Sequence, residues 1–404
     1  MNIVYVYDGD WPRGATRVVK QTRSLADAGH DVHLVSRNET RQPRQQTEAW
    51  MTVHRLPAQG PNWANRIINF PYFFNPFWIH GIYRAAKDAD ADCIIVADLP
   101  LALTALWVGR VLGLPVHYDM AEVYPEFLRG LWAFDQMSWS DYLVRNPAIA
   151  ERLERFVLPR MDTTFVVSEE SRDRCNSLGV DPARLVIVGN TPENPERLAG
   201  SGAIPADLEP YRGRPVLLFV GILIGDRGLK PAITAMTHLI HKRPDALLVV
   251  VGDGPDRARL ESLVTELGLH EHVIFLGWKD HAELPEYYAQ GHIGLLPFLD
   301  GSHVRITLAN KLFDYMGAGL PVIASDLPPM RRVVEECRAG VLVPAGDPEA
   351  LAAAAHSLLS EDAIRSDMGH SGRSAVLEKY RWERDEARFL ATFEPHAPRG
   401  AVDQ

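Results

Sequence analysis

The stretch that decides the fold covers residues 310–325 and reads Asn-Lys-Leu-Phe-Asp-Tyr-Met-Gly-Ala-Gly-Leu-Pro-Val-Ile-Ala-Ser. Its first half has helical spacing, which predicts that Leu312, Tyr315 and Met316 share one buried face. The glycines at 317 and 319 end this helix, and the proline at 321 prevents its return. The apolar residues from 322 to 324 then predict a short parallel strand that is covered on both faces.

Polar side chains occupy the start of the same predicted helix. Asn310 and Lys311 fall in its first turn, and Asp314 follows one turn later. Because a helix N-terminus carries free N–H groups and a partial positive charge, a lysine beside it suits a phosphate group. A carboxylate one turn further on suits the hydroxyl groups of a ribose. The alternative is an ordinary helix–strand unit in which Lys311 and Asp314 are solvated.

Outside this stretch, short apolar runs alternate with helical patterns in two series. The first series predicts a helix at residues 15–28 and strands at 3–7, 32–35, 93–97, 116–118, 164–167 and 186–188. The second series predicts strands at 216–220, 247–251, 273–275, 293–296, 322–324 and 341–343. Residues 192–215 separate the two series and are rich in proline and glycine, which is typical of an interdomain connection. Two doubly wound sheets are therefore predicted, with ligands at the carboxyl ends of their strands.

The stretch at 310–325 resembles the donor site of GT-B glycosyltransferases of family 4, the glycosyl transferases of group 1. The usual family pattern is Glu-x7-Glu, followed by a glycine-rich turn and Pro-Val. In this chain the second acidic position is Asp314, whereas the first is Ile306, as in a variant branch with Asn-Lys-Leu-Phe before the second acid. The resemblance implies α/β architecture of the GT-B type, two Rossmann-like domains facing a cleft. It implies an acceptor domain at residues 1–195, a donor domain at 196–375 and a C-terminal helix at 376–404 that crosses back to the first domain.

Glycines and cations at the predicted strand ends match the family's donor site. In the loop Gly-Ile-Leu-Ile-Gly-Asp-Arg-Gly after residue 220, Arg227 takes the place of the usual lysine. Its guanidinium can pair with two phosphate oxygens at once. The base is recognised by backbone, so a UDP-sugar is favoured from the frequency of uridine nucleotides in the family. The resemblance implies that the nucleotide-diphosphate sugar is bound by Gly14, Gly221, Arg227, Gly252, Gly277, Trp278, Asn310, Lys311, Leu312 and Asp314.

The acceptor is expected in the N-terminal domain. Residues 116–126 resemble a family segment in which a histidine lies near the reacting sugar, and Ala121 replaces that histidine here. Asp119 and Glu122 remain as candidates for acceptor binding, and Glu122 is also a candidate catalytic residue beside the two cations. The alternative for Glu122 is a helix cap. The resemblance implies a retaining, front-face attack in which the departing phosphate takes the acceptor proton, so catalysis depends on stabilising the leaving diphosphate.

Composition and charge exclude several classes of protein. With 404 residues, 46% of them hydrophobic and 23% charged, the chain has the composition of a globular protein with two domains. Its net charge of −10 disfavours binding to nucleic acid, which normally needs clustered positive charge. Cys93, Cys175 and Cys337 are few and far apart, so we expect buried free thiols and a reducing, cytoplasmic compartment. No signal peptide and no membrane-spanning run is predicted.

The aspartates at 88, 90 and 92 form a pattern that holds a metal ion in the other glycosyltransferase fold. Here they fall between a predicted helix and a buried strand, which is typical of a solvated turn. We therefore predict no metal and no cofactor, with the nucleotide sugar as co-substrate.

Residues 63–83 are unusually rich in aromatic side chains. Two interpretations stay open: a core helix, or an apolar acceptor surface that also makes peripheral contact with the inner face of the cell membrane. The aromatic residues are Trp63, Phe70, Tyr72, Phe73, Phe74, Phe77, Trp78 and Tyr83.

These features predict a retaining glycosyltransferase of envelope polysaccharide, glycolipid or secondary-metabolite biosynthesis. It would move a sugar from a nucleotide-diphosphate sugar to a hydroxyl group of a carbohydrate, lipid-linked or small-molecule acceptor. One rival is a GT-B enzyme like UDP-GlcNAc 2-epimerase, which Ile306 and Ala121 disfavour because an epimerase needs acid–base groups around the sugar ring. The other rival is a catalytically weak homologue that only binds nucleotide sugar.

Overall fold

The structure is a computed structural model that describes residues 1–12, 15–57, 73–134 and 145–394. The described chain divides into two compact units. Within those ranges, unit 1 takes the residues up to 128, residues 145–189 and residues 383–394. Unit 2 takes residues 129–134 and residues 190–382.

Unit 1 is built on a sheet of eight strands. They are β1 (Asn2–Asp10), β2 (Asp31–Arg37), β3 (Gln45–Thr47), β4 (Thr52–Arg55), β5 (Cys93–Ala97), β6 (Val116–Met120), β7 (Thr163–Val166) and β8 (Leu185–Ile187). Their order is β3-β4-β2-β1-β5-β6-β7-β8, and all neighbours are parallel except β3, which runs antiparallel to β4. Both β5 and β6 are buried along their whole length, as central strands of a parallel sheet are.

Unit 2 is built on a sheet of six parallel strands. They are β9 (Val216–Val220), β10 (Leu247–Val251), β11 (Val273–Gly277), β12 (Ile293–Leu296), β13 (Val322–Ser325) and β14 (Gly340–Val343). Their order is β11-β10-β9-β12-β13-β14, so the chain order reverses between β9 and β12. Such a switch point leaves a crevice at the carboxyl ends of the strands, where ligands of doubly wound folds bind.

Helices connect the strands in both units. The helices of unit 1 are α1 (Thr16–Asp27), α2 (Pro76–Asp88), α3 (Leu99–Leu112), α4 (Tyr124–Phe134), α5 (Pro147–Val157), α6 (Glu169–Ser177) and the last helix of the chain, α14 (Trp382–Leu390). Of these, α4 continues into unit 2. The helices of unit 2 are α7 (Leu229–Leu239), α8 (Arg257–Glu266), α9 (Leu284–Gln290), α10 (Asn310–Gly317), α11 (Pro328–Cys337), α12 (Pro348–Ser360) and α13 (Asp362–Glu378).

The predicted strands are all present, with ends that differ by at most three residues. The helix predicted at the start of residues 310–325 is α10. Its residues Leu312, Tyr315 and Met316 are fully buried, as predicted. Two strands, β3 and β4, escaped prediction because both are short: β3 is an exposed edge strand, and in β4 buried and half-buried residues alternate. The three cysteines are buried free thiols, as expected.

The segment at 192–215 is part of unit 2 rather than a bare connection. Its two short 3₁₀ segments, Pro195–Ala199 and Glu209–Tyr211, bring Leu198 and Leu208 into the core of unit 2. Lys279 also holds Asp207 in an ion pair of 2.7 Å. The leucines, not the prolines and glycines, decide where this segment lies.

The last helix belongs to unit 1, although it follows unit 2 in the chain. The Phe389 ring of α14 lies 5.0 Å from the ring of Phe165 on β7, and Phe393 lies 5.2 Å from His117 on β6. These contacts bury one face of the sheet under aromatic side chains. They also lower the pKa of His117 to about 4, because burial disfavours its charged form.

The aromatic segment is described only from residue 73 onward, so Trp63 and Phe70 lie outside the described residues. Asn75 caps α2 by accepting the N–H of Phe77. Trp78 is buried, whereas Phe77 and Tyr83 are exposed on the same helix. Within the part of the chain that the structure describes, no helix has the length and apolar character needed to cross a bilayer.

Candidate functional site

Three strand ends of unit 2 are joined by backbone hydrogen bonds. The Gly221 N–H donates to the Val251 carbonyl at 2.9 Å, and the Gly252 N–H donates to the Gly277 carbonyl at 2.8 Å. Gly252 has φ +139°, and a Cβ atom there would collide with the carbonyl of Gly221. Glycine therefore lets the ends of β9, β10 and β11 approach closely, which brings Gly221, Gly252 and Gly277 together as the sequence predicted.

Lys311 lies against this joined edge. Its Nζ atom is 4.2 Å from the centre of the Phe219 ring and 5.5 Å from that of Phe298. A Cβ atom at Gly221 would occupy the place of the Lys311 ammonium group, so the glycine makes room for the lysine. Among the described residues Lys311 Nζ is buried and has no hydrogen-bond partner.

Arg227 is the second cation at this edge. It ends a 3₁₀ turn, Gly225–Arg227, and its guanidinium carbon lies 4.9 Å from the centre of the Phe298 ring. Its Nε atom lies 3.5 Å from Asp226 Oδ1. The N–H of Leu299 donates to the Asp226 carbonyl at 2.9 Å, which fixes this turn beside the end of β12. Phe298 thus supports both cations on one ring.

The two cations shift the protonation of their surroundings. Burial, and then the charge of Arg227, lower the pKa of Lys311 well below its ordinary value. Burial, and then Arg227, also lower the pKa of His303 to about 4. A desolvated lysine beside another cation and without a hydrogen-bond acceptor is costly, and an anionic ligand would offset that cost.

Asp314 lies on the same helix as Lys311. The hydroxyl group of Tyr288 donates to Asp314 Oδ2 at 3.5 Å, and the Tyr288 ring packs edge-on against Tyr315 at 5.8 Å. The Tyr315 hydroxyl in turn accepts the N–H of Val220 at 2.8 Å, which ties α10 to the end of β9. Packing therefore fixes the Asp314 carboxylate relative to the joined strand ends.

Burial distinguishes three of the predicted donor residues. The Lys311 ammonium group is buried by aromatic rings rather than solvated, and the Arg227 guanidinium is largely covered. Leu312 is fully buried in the core and its N–H donates to the Ala309 carbonyl, so it has no group left for a ligand. Helical spacing already placed Leu312 inside, and that signal should have removed it from the donor set.

The remaining donor residues are placed differently. Asn310 is exposed at the first position of α10. Trp278 follows β11 and is 72% exposed, so its ring offers an open aromatic surface. Gly14 lies outside the described residues. The supporting residues Phe219, Phe298, Tyr288 and His303 were not predicted, although Phe298 follows a buried strand, where a ligand-facing aromatic side chain could have been sought.

Asp119, predicted to bind the acceptor, is part of a buried ion pair in unit 1. It is 1% exposed, and Arg17 donates to it from Nε at 2.9 Å and from Nη2 at 2.6 Å. The Tyr5 hydroxyl adds a third donor at 3.2 Å. The Arg17 guanidinium also donates to the carbonyl of Val188, so the pair joins α1 to the ends of two strands. Because its buried oxygen atoms already accept from Arg17 and Tyr5, Asp119 supports the fold of unit 1 and is not placed to bind an acceptor.

Glu122 follows β6 and is half-buried. Its charge lies close enough to Asp98 to raise the pKa of that residue. The aspartate pattern at 88–92 lies at the opposite, amino end of β5, where the Asn2 N–H donates to Asp92 Oδ2 at 2.7 Å. In the described ranges, no group of three or more His, Cys, Asp or Glu side chains is arranged to hold a metal ion.

Two family models match the chain in sequence. Residues 14–191 match the model described as "Glycosyl transferase 4-like domain", and residues 214–361 match "Glycosyl transferases group 1". The second match contains the whole joined edge of unit 2, from Gly221 to Asp314. The two matches divide the chain close to where the two compact units divide it.

Known proteins resemble the chain along most of its length. The phosphatidyl-myo-inositol mannosyltransferase of Mycobacterium leprae is 32% identical over 84% of this chain and 85% of its own. Sucrose-phosphate synthase from Thermosynechococcus elongatus has a similar structure, with a TM-score of 0.74, 19% identity and 97% and 98% of the two chains covered. Alr3699/HepE of Anabaena, solved in complex with UDP, gives a TM-score of 0.70 at 15% identity, with 97% and 99% covered. The two solved structures establish the GT-B fold.

Proposed function

The chain belongs to the glycosyl transferases of group 1 and is a glycosyltransferase, and we propose that it is a retaining enzyme that uses a nucleotide-diphosphate sugar. In this proposal the sugar, from a UDP-sugar in the first instance, passes to a hydroxyl group of an acceptor in envelope polysaccharide, glycolipid or secondary-metabolite assembly. The donor binds at the joined edge of unit 2, and the acceptor is held by residues of unit 1.

The observation that carries the proposal is the Lys311 ammonium group. It is held on Phe219 and Phe298, close to Arg227, and no described residue accepts a hydrogen bond from it. A diphosphate supplies the missing negative charge and several acceptor oxygens in one ligand. A neutral ligand without acceptor oxygens would leave the buried Lys311 ammonium group without a hydrogen-bond acceptor, which favours a diphosphate at this edge.

The rest of the nucleotide fits the neighbouring residues. Each oxygen atom of the Asp314 carboxylate can accept hydrogen bonds, as the hydroxyl groups of a ribose require, and the Tyr288 hydroxyl contacts Oδ2 at 3.5 Å. The strand end at Gly277 offers backbone groups to a base, and the exposed Trp278 offers a ring beside it. The Anabaena neighbour was solved with UDP, which supports a uridine nucleotide for this chain.

The proposed reaction is a front-face attack, and the two cations support it by stabilising the leaving group. The bond between the sugar C1 and the phosphate oxygen breaks, and the acceptor oxygen forms its bond to C1 on the same face. The acceptor proton passes to the departing phosphate oxygen, while Lys311 and Arg227 stabilise the charge on the leaving diphosphate. Glu122 is the candidate in unit 1 for orienting the acceptor. The name of the Mycobacterium leprae relative, a phosphatidyl-myo-inositol mannosyltransferase, supports an acceptor that carries several hydroxyl groups.

A panel of nucleotide sugars tests the proposal. The purified chain is incubated with UDP- and GDP-sugars, and both free nucleoside diphosphate and the sugar anomer in the product are measured. We expect slow release of nucleoside diphosphate that an acceptor accelerates, with retention of the anomeric configuration. Isomerisation of the sugar without nucleotide release would establish an epimerase instead, and binding without turnover would establish a binding protein.

A further inference from the structure

Asp98 has a backbone conformation that an aspartate rarely adopts. It follows β5 directly and precedes α3, with φ 60° and ψ 163°. That region is populated almost entirely by glycine, and holding another residue there costs free energy. The Asp98 N–H donates to the Asp119 carbonyl at 3.0 Å, which holds the residue at the joined ends of β5 and β6. Strain of this kind persists only where the surrounding structure enforces it, and it clusters at active sites and ligand-binding sites.

The carboxyl group of Asp98 has no partner in the described chain. Its Oδ1 atom is buried without a hydrogen bond, and no cation pairs with it. The neighbouring carboxylates differ in this respect, because Arg17 pairs with Asp119 and Arg37 pairs with Asp8 at 2.5 Å. The Tyr118 hydroxyl, fully buried on β6, also has no hydrogen-bond partner in the structure as described.

The surroundings of Asp98 favour its neutral form. Burial, and then the charges of Glu122 and Asp119, raise its pKa well above the ordinary value. Asp8 on β1 acts in the same direction and Arg17 on α1 opposes it. The hydroxyl groups of the tyrosines that face it ionise only at high pH, because burial raises the pKa of each: Tyr5, Tyr7 and Tyr118. A neutral carboxyl group both donates and accepts a hydrogen bond, which is the pattern that an alcohol also offers.

We propose that Asp98 is an acceptor-binding residue of unit 1, and that it hydrogen-bonds a hydroxyl group of a neutral, polyhydroxylated acceptor. The proposal rests on the function proposed above and adds the residue and the class of acceptor. We expect a neutral acceptor because the carboxylate of Glu122 lies near the same strand ends and disfavours an anion. No described residue competes for the carboxyl group, so a ligand hydroxyl can take both of its hydrogen-bonding functions.

The test measures acceptor-dependent release of nucleoside diphosphate from the nucleotide sugar that the wild type hydrolyses. The neutral probes are myo-inositol, methyl glucoside and octyl glucoside, and the anionic probes are myo-inositol 1-phosphate and glucose 6-phosphate. We expect stimulation by at least one neutral probe and none by the phosphorylated ones. Preference for a phosphorylated probe, or stimulation by no neutral probe, overturns the proposal.

Three substitutions separate binding from structural support. Asp98→Ala should raise the acceptor KM at least tenfold and leave the donor KM and the acceptor-free hydrolysis unchanged. Asp98→Asn, which keeps a donor and an acceptor, should restore acceptor binding. Asp98→Gly should lose acceptor binding as alanine does, yet melt above the wild type because glycine relieves the backbone strain. Equal acceptor KM values for wild type and alanine variant, or an asparagine variant as weak as alanine, overturn the proposal.

The pH dependence gives a readout that a structural role would not change. The wild-type acceptor KM should rise as the pH climbs through the raised pKa of Asp98, because the carboxyl group then loses its donor. The Asp98→Asn profile should stay flat over the same range, and a wild-type profile equally flat contradicts the proposal.

The two proposals fail in different ways. If the wild type releases no nucleoside diphosphate from any nucleotide sugar, the proposed function is wrong. If the wild type turns over its donor but the substitutions at Asp98 do not change acceptor binding, only the proposal for Asp98 is wrong.

Discussion

The strand ends of the two units differ in which charged side chains lack a partner within the described chain. In unit 2, Lys311 and Arg227 share the Phe298 ring, and the lysine has no hydrogen-bond acceptor among the described residues. In unit 1 the same edge is acidic, and arginines pair with two of the carboxylates there, Asp8 and Asp119. Both sheets place their loops in the same way, so the choice of ligand rests on a few side chains. In the proposed function Lys311 and Arg227 bind the diphosphate, and the carboxylates of unit 1 disfavour a second anion.

The largest effect is expected from removing one cation of unit 2. Lys311→Ala should lower kcat about 10²–10³-fold, about 2.7–4 kcal/mol, because the leaving diphosphate loses a preorganised charge. Arg227→Ala should have an effect of the same order. Turnover with the native donor, measured as release of nucleoside diphosphate, checks both variants.

Lys242→Ala is the matched control, since Lys242 is an exposed lysine of the same unit. It should retain full turnover. An Lys311→Ala enzyme with wild-type kcat would remove the cationic edge from the mechanism, and with it the contrast between the two units.

The next effect concerns nucleotide binding by Asp314. Asp314→Asn should weaken binding of the nucleoside diphosphate by about 1.5–3 kcal/mol, because a charged acceptor of ribose hydroxyl groups is replaced by an amide. Calorimetric titration measures this loss, with the exposed Asp367→Asn on α13 as the control. Identical affinities for wild type and Asp314→Asn would take this residue out of the donor site.

A smaller effect, opposite in sign, is expected on stability. Lys311→Met should stabilise the unliganded protein by about 1–3 kcal/mol, the cost of one unsatisfied buried polar group. Folding lowers the pKa of Lys311, so between the lowered and the ordinary pKa the unfolded chain binds more protons than the folded chain. The destabilisation of the folded state by the buried charge is therefore complete below the lowered pKa. The gain should therefore shrink as the pH rises toward about 10.4, the ordinary lysine value.

Unfolding in denaturant at several pH values measures this difference. Lys242→Met serves as the control and should show no such pH-dependent gain. A variant Lys311→Met that is less stable than the wild type at neutral pH would mean that the lysine is satisfied in the free protein.

The smallest effect is expected at the aspartate pattern between α2 and β5. Two cations at the edge of unit 2 can neutralise a diphosphate, so activity should survive excess chelator. Asp90 adopts φ 49° in a turn, a conformation that asparagine tolerates, and Asp90→Asn should leave turnover unchanged. A strict requirement for manganese or magnesium, abolished in Asp90→Asn, would move the diphosphate site away from Lys311.

The sequence predicted the sheets well because each buried strand is a continuous apolar run. It predicted the backbone of the donor edge for a similar reason, since Gly221, Gly252 and Gly277 follow such runs directly. Lys311 and Asp314 were predicted as site residues because they lie in the first turns of a helix, where a cation suits a phosphate and a carboxylate suits a ribose.

Side-chain environments could not be predicted in the same way. Burial of Lys311 depends on Phe219 in β9 and on Phe298 just after β12, and neither ring gives a signal in the sequence around Lys311. The pairing of Asp119 with Arg17 joins residues 102 positions apart. Asp98 was overlooked because its unusual feature is a backbone angle, and a single aspartate after a strand does not reveal that angle.

The placement of α14 in unit 1 has a consequence for the synthesis of the chain. A ribosome reaches Phe389 and Phe393 only after all of unit 2 has been translated. Until then Phe165 and His117 lack their aromatic cover, so the unit that is translated first is completed last. A nascent chain therefore exposes apolar surface near its beginning for most of translation, which is the surface that chaperones recognise.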